Sequence, residues 1–170
     1  PNYTISTTGN AIVVTDLSGN GDILFMSESG SNIQFNVTGR TYSLNSGAVL
    51  NFPVSVLLAG VTAITVNAQG GNDVINISAF AANLPSLTLN GGTGDDVINF
   101  NGDITFAANA NLNADLQDDD PTPGVDALAI GANDNIIFTG AGTVTVKVSK
   151  QVSIGSNGSL ETMNGDLTVD

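Results

Sequence analysis

Apolar and polar residues alternate in short runs along the whole chain, and glycine, asparagine and serine separate the runs. An alternation with a period of two marks strands that bury one face. Thr4–Ser6, Ala11–Thr15, Ile23–Met26, Ile33–Val37 and Thr41–Leu44 each read as such a strand. Asn20-Gly21, Gly39 and Ser46-Gly47 mark turns between strands. The spacing predicts an antiparallel β-meander over residues 1–60. Pro53 lacks an N–H and is expected at a strand start or on a sheet edge. Helical periodicity is nearly absent. Leu112 and Leu116 stand four apart, but the asparagines of residues 105–117 oppose a helix, and neither that stretch nor 79–85 is assigned one.

From Ile64 the rhythm changes to strand, glycine turn, strand, and it repeats. "AITVNAQGGNDVINI" is followed by "SLTLNGGTGDDVINF", which sets Val66 and Leu89 23 residues apart, and Asp73 and Asp96 likewise 23 apart. Val146 and Val169 are separated by the same 23. "PGVDALAI" offers the same frame at Gly124, Asp126, Leu128 and Ile130, with its aspartate 30 residues after Asp96. The excess matches "QDDDPTPG" (117–124), read as a loop pushed out of one turn. A period in the low twenties with about three short strands suits a β-solenoid, in which no rung buries its inward face alone. The expectation is an all-β chain. Residues 61–170 would form a right-handed parallel β-helix or β-solenoid, continuous with the antiparallel β-rich first part. A β-sandwich whose hairpins share turn chemistry is the alternative.

Composition narrows the function. Of 170 residues 41% are hydrophobic but only 5% aromatic, so the core must be built from Val, Ile, Leu and Ala. Sixteen acids oppose three bases (Arg40, Lys147 and Lys150), a net charge of −13. Such a chain repels phosphate backbones and anionic membranes, which argues against nucleic-acid partners, and its self-repulsion favours bound cations. No stretch approaches the ~20 apolar residues of a membrane span, so no membrane insertion is expected. Cys and His are both absent, which removes disulfides, thiolate chemistry and the commonest general base. The chain opens at Pro1 and is read as processed or excised from a longer one. Its poverty in Lys and wealth of Asn, Gly, Thr and Ser suit a bacterial extracellular or cell-surface protein.

The repeated turn carries the candidate chemistry. Equivalent residues of stacked rungs lie about 4.8 Å apart. At that distance the carboxylates of Asp73 and Asp96 repel by about 3 kcal/mol at an effective dielectric of ~20. A hard divalent cation would remove that repulsion, and calcium takes six to eight oxygens from carboxylates, carbonyls and amides. Gly70-Gly71, Gly91-Gly92 and Gly94 permit the positive φ that turns carbonyls inward. Asn72 and Asp95 sit on the same turns and offer further oxygens, and Asp126 holds the equivalent place in the third copy.

"GGTGDDVIN" (91–99) resembles the calcium-binding nonapeptide GGxGxDxUx of RTX-type β-rolls at every fixed position. The resemblance implies that Gly91, Gly92, Gly94 and Asp96 form the calcium turn, with Ile98 the buried apolar residue. "AQGGNDVIN" (68–76) keeps Gly71, Asp73 and Ile75 but has Ala68 and Gln69 where the family has glycines. A β-roll repeats its nonapeptide in tandem, whereas these copies are 23 residues apart. Over residues 60–170 the phrasing also resembles the secreted β-strand-repeat surface proteins of planctomycete type. That resemblance implies surface or matrix material with calcium and no assigned activity.

The remaining acids weigh less. Asp118, Asp119 and Asp120 either clamp calcium or form a solvated acidic loop. Asp115 and Asp134 read as turn residues, and Asp22, Asp103 and Asp166 as turn acids at strand starts. An enzyme is not expected. A polysaccharide lyase needs a basic residue to take a proton or neutralise a uronate, and none of the three cations lies near the aspartate pair in sequence. A hydrolase could use paired acids, but aromatic platforms for sugars are missing, with no Trp and only Tyr3 and Tyr42. The expected function is an extracellular structural protein, a calcium-stabilised subunit of a filament, surface layer or adhesin stalk. Its partners would be head-to-tail copies of itself or further repeats, because both termini read as strand without a cap. The alternative is a calcium-dependent adhesin or carbohydrate-binding module that holds surface glycans.

Overall fold

The computed structural model describes residues 1–117 and 124–170. Those residues form an all-β structure without a helix, in which nineteen strands build three mixed or parallel sheets. The first seven strands are β1 (Tyr3–Ser6), β2 (Ala11–Asp16), β3 (Ile23–Ser29), β4 (Asn32–Val37), β5 (Thr41–Leu44), β6 (Val49–Asn51) and β7 (Val54–Leu57). The next six are β8 (Ala63–Asn67), β9 (Val74–Ser78), β10 (Ser86–Asn90), β11 (Val97–Asn101), β12 (Ile104–Phe106) and β13 (Leu112–Asp115). Last come β14 (Ala127–Ile130), β15 (Asn135–Phe138), β16 (Val144–Lys147), β17 (Gln151–Ile154), β18 (Ser159–Thr162) and β19 (Leu167–Val169).

From β8 onward the chain visits the sheets in turn and returns to pair in parallel with its previous circuit. β8, β10, β13, β16 and β19 follow one another in the nine-stranded sheet. β9, β11, β14 and β17 do so in the seven-stranded sheet, and β12, β15 and β18 form the three-stranded one. The register agrees with the spacing in the sequence. Val66 pairs with Leu89, Val74 with Val97 and Val146 with Val169. Leu128 lies against Ile98, and Ile130 against Phe100, so the third copy keeps the register across its longer interval; most of the loop read at 117–124 lies outside the described residues.

The first sixty residues do not form one meander. β1–β2, β3–β4, β4–β7 and β5–β6 are antiparallel, but β1 pairs with β5 in parallel. β2 and β3 belong to different sheets and stack in parallel on β8 and β9. They are thus an earlier circuit, separated from the next by the excursion β4–β7. Both large sheets therefore run across residue 60. Pro53 stands immediately before β7, the last strand of its sheet.

Alternation sends every second strand residue into one continuous core. Ile12, Ile64, Leu87, Leu112 and Val144 form one inward column, and Met26, Ile77, Phe100 and Ile130 another. Burial of each such side chain contributes about 1.5–3 kcal/mol. The third sheet adds Phe106 and Phe138, stacked with ring centroids 4.1 Å apart and 14° between planes. The outward rows are polar. Asn90 Nδ2 donates to Asn67 Oδ1 at 2.8 Å, and Asn99 Nδ2 to Asn76 Oδ1 at 3.1 Å. Asn67, Asn76, Asn90 and Asn99 thus lie in pairs on the strands rather than in turns.

Candidate functional site

The corner between the nine-stranded and seven-stranded sheets gathers the acids. Each circuit crosses it through a tight turn, and each turn delivers one inward carboxyl just before the next strand begins. Asp73, Asp96 and Asp126 precede β9, β11 and β14, and all three are buried. Asp22 precedes β3 and occupies the same place in the first circuit, so it is more than a turn acid at a strand start. Ser149 holds the place in the fifth.

These five residues form a ladder. The backbone N–H of Asp22 donates to Asp73 Oδ1 at 2.7 Å. Asp73 N–H donates to Asp96 Oδ1 at 2.8 Å, and Asp96 N–H to Asp126 Oδ1 at 2.8 Å. Asp126 N–H donates to Ser149 Oγ at 2.9 Å. Both ends are capped by the chain itself. At the first, Tyr3 Oη donates to Asp22 Oδ2 at 3.0 Å and Arg40 Nε to Oδ1 at 2.7 Å. At the other, Ser149 Oγ lies 2.8 Å from Asp126 Oδ2. Burial, with Asp16 and Asp22 nearby, pushes the Tyr3 hydroxyl far above its ordinary range.

Asp73 is strongly perturbed. Its carboxyl is raised to about 7, chiefly by burial; the N–H of Asp22 opposes the rise, and the charges of Asp96, Asp16 and Asp22 add to it. Its Oδ2 is buried and has no hydrogen-bond partner. Asp16 is also buried, but it closes its own turn, accepting from Ser18 N–H at 2.7 Å and Gly19 N–H at 3.1 Å.

The glycines are required because the turns interlock. Gly71, Gly94 and Gly124 stand one above another. A Cβ on Gly94, at φ +127°, would lie 2.1 Å from Gly71 O, and one on Gly124 would lie 2.2 Å from Gly94 O. Gly92 is equally confined by Gln69 O. Asn72 and Asp95 form a second, exposed column outside the first. Asn72 Oδ1 accepts from Asp95 N–H at 3.1 Å, and Asp95 Oδ1 from Val125 N–H at 2.7 Å.

The structure therefore brings Asp73, Asp96 and Asp126 together inside, and Asn72 and Asp95 together outside. Asp118, Asp119 and Asp120 lie outside the described residues. Asp115 ends β13 and pairs with Lys147 Nζ at 2.7 Å. Sequence reasoning missed Asp22, whose "GNGDILF" shares the glycine, the aspartate and the apolar alternation, and Ser149, which no pattern marks.

The calcium implied by the RTX-like turn fits these residues poorly. Calcium needs six to eight oxygens, and the buried Asp73 Oδ2 and Asp96 Oδ2, the side-chain oxygens not engaged with backbone N–H groups, supply only two. The Oδ1 atoms of both columns already accept backbone N–H groups. Among the described residues no three acids gather as a metal-holding group. Comparison of the chain with protein-family models, curated proteins and solved structures gave no match.

Proposed function

We propose that this chain is a structural β-repeat module of a bacterial extracellular surface, with residues 61–170 coiled as a right-handed parallel β-helix. One observation carries the reading. Strand after strand returns to the same sheet in parallel, so that the core positions continue as columns from circuit to circuit and the inward aspartates line up at one corner. Right-handedness follows from the strong chiral preference of parallel crossovers. A stack of this kind is a stiff spacer, suited to a stalk, a layer or a matrix. Calcium is the competing occupant of its aspartate corner.

Two experiments test the reading. Thr65 and Thr88 pair across β8 and β10, and the chain has no cysteine. Parallel partners stand about 4.8 Å apart, within disulfide range. A Thr65→Cys/Thr88→Cys variant should oxidise to an intramolecular disulfide without loss of fold, and failure to do so would count against the coil. Brief protease treatment of intact cells that make the protein should release its peptides. Recovery only after lysis would remove the surface assignment.

Self-association belongs to the same proposal, with a constraint on its form. A head-to-tail copy must add equal numbers of strands to every sheet it continues, yet the sheets hold nine, seven and three. Simple translational stacking would leave gaps, so further repeats suit the module better than identical copies. A second reading, glycan binding, has one specific support. Thr65, Thr88, Asn113, Thr145 and Thr168 form one outward rank of hydroxyls and amides across the nine-stranded sheet. Binding on a glycan array that disappears in Thr88→Val would favour it.

A further inference from the structure

The aspartates of the repeated turn are placed as staples between circuits. Each accepts the N–H of its counterpart in the preceding circuit, a hydrogen bond that fixes the register directly. The turn backbones bond to one another as well. Thr93 N–H donates to Gln69 O at 2.9 Å, and Gly71 N–H to Thr93 O at 2.9 Å. Gly71 O abuts Gly94, and Gly94 O abuts Gly124, where not even a methyl group fits. An ion bridging the turns would need their carbonyls to face a shared space, and here they face the next backbone.

The last position is the most telling. Ser149 replaces the aspartate, and its hydroxyl still takes the N–H of Asp126 at 2.9 Å. At the opposite end Arg40 and Tyr3 supply the countercharge and the proton donor for Asp22. Hydrogen-bond acceptance is common to all the ladder residues that receive an N–H, whereas negative charge is not.

We propose that the ladder Asp22–Asp73–Asp96–Asp126–Ser149 is a hydrogen-bonded staple that holds successive circuits in register without a divalent cation, in spite of its RTX-like sequence. The inference rests on the parallel pairing of the circuits and is independent of where the protein resides. It assigns each inward aspartate an acceptor role that asparagine can fill and alanine cannot.

The test is a thermal melt of the whole chain in millimolar calcium and in excess chelator, repeated for Asp96→Asn and Asp96→Ala, with metal analysis of the purified protein. The parent should melt at the same temperature in both buffers and carry no stoichiometric calcium. Asp96→Asn should melt close to the parent, and Asp96→Ala many degrees lower. A calcium-dependent rise in the parent that Asp96→Asn abolishes would overturn the proposal, as would bound calcium in the purified chain. Equal losses in the Asn and Ala variants would overturn it too. Should Asp96→Ala fail to fold, the parent's melts and the Asp96→Asn variant still decide.

Discussion

The backbone N–H of Asp73 donates to the carboxylate of Asp96 at 2.8 Å, although the two residues are 23 positions apart in the chain. The same relation links Asp22 to Asp73 across 51 positions and Asp96 to Asp126 across 30. One contact thus recurs over three unequal lengths of chain. Place in the stacked parallel strands fixes it, whatever the length of chain between.

Asp73 should make the protein more stable in mild acid. Its folded carboxyl titrates near 7 against an ordinary 3.8. Between those values the folded chain holds a proton that the unfolded chain releases, so stability falls as pH rises through the window. The Asp73 contribution is fully present below about pH 4 and lost above about pH 7. Melts at pH 5.5 and pH 8 should show the parent higher at pH 5.5, and Asp73→Asn should reduce that difference. An unchanged pH dependence in the variant would assign the effect to other groups.

Gly94→Ala should be far more damaging than Gly9→Ala. Both glycines have positive φ, but a Cβ on Gly9 meets nothing within 4 Å, whereas one on Gly94 runs into Gly71 O. Left-handed strain alone costs about 1–2 kcal/mol. Overpacking of interlocked backbones adds about 1–3 kcal/mol more. Urea unfolding of the two variants should separate them by at least the second amount. Equal losses would mean that the turns can move apart.

Arg40 and Lys147 should differ as ion-pair partners. Arg40 serves Asp22, whose side chain is 7% exposed, while Lys147 serves Asp115, whose side chain is 22% exposed. Removing Arg40 leaves a buried charge without its cation, a loss of about 3–5 kcal/mol where burial is complete. Lys147→Ala should cost no more than about 1 kcal/mol, as for solvent-exposed pairs. Denaturant midpoints of Arg40→Ala and Lys147→Ala measure the contrast, and a larger loss for Lys147→Ala would contradict it.

The third sheet depends on its stacked rings. Phe106 and Phe138 are both buried, and Phe106→Ala should cost about 3–5 kcal/mol. A double-mutant cycle with Phe138→Ala should show about 0.5–1.5 kcal/mol of coupling. Additive losses would mean that the rings merely fill space.

The sequence by itself determined most of the strands, the circuit spacing and the alignment of Asp73, Asp96 and Asp126, in spite of the longer interval between the last two. It did so because strand alternation is local, and because stacked turns impose the same glycine and aspartate at equivalent places. Only the tertiary structure decided that β2 and β3 are an earlier circuit, since the excursion β4–β7 interrupts the period between Asp22 and Asp73. Only it decided that Ser149 can close a ladder of acids, and that the aspartate oxygens face backbone N–H groups. Periodicity in a sequence records which residues occupy equivalent positions. It carries no information on where a lone pair points or how closely two backbones approach, and those two quantities separate a hydrogen-bonded staple from a calcium clamp.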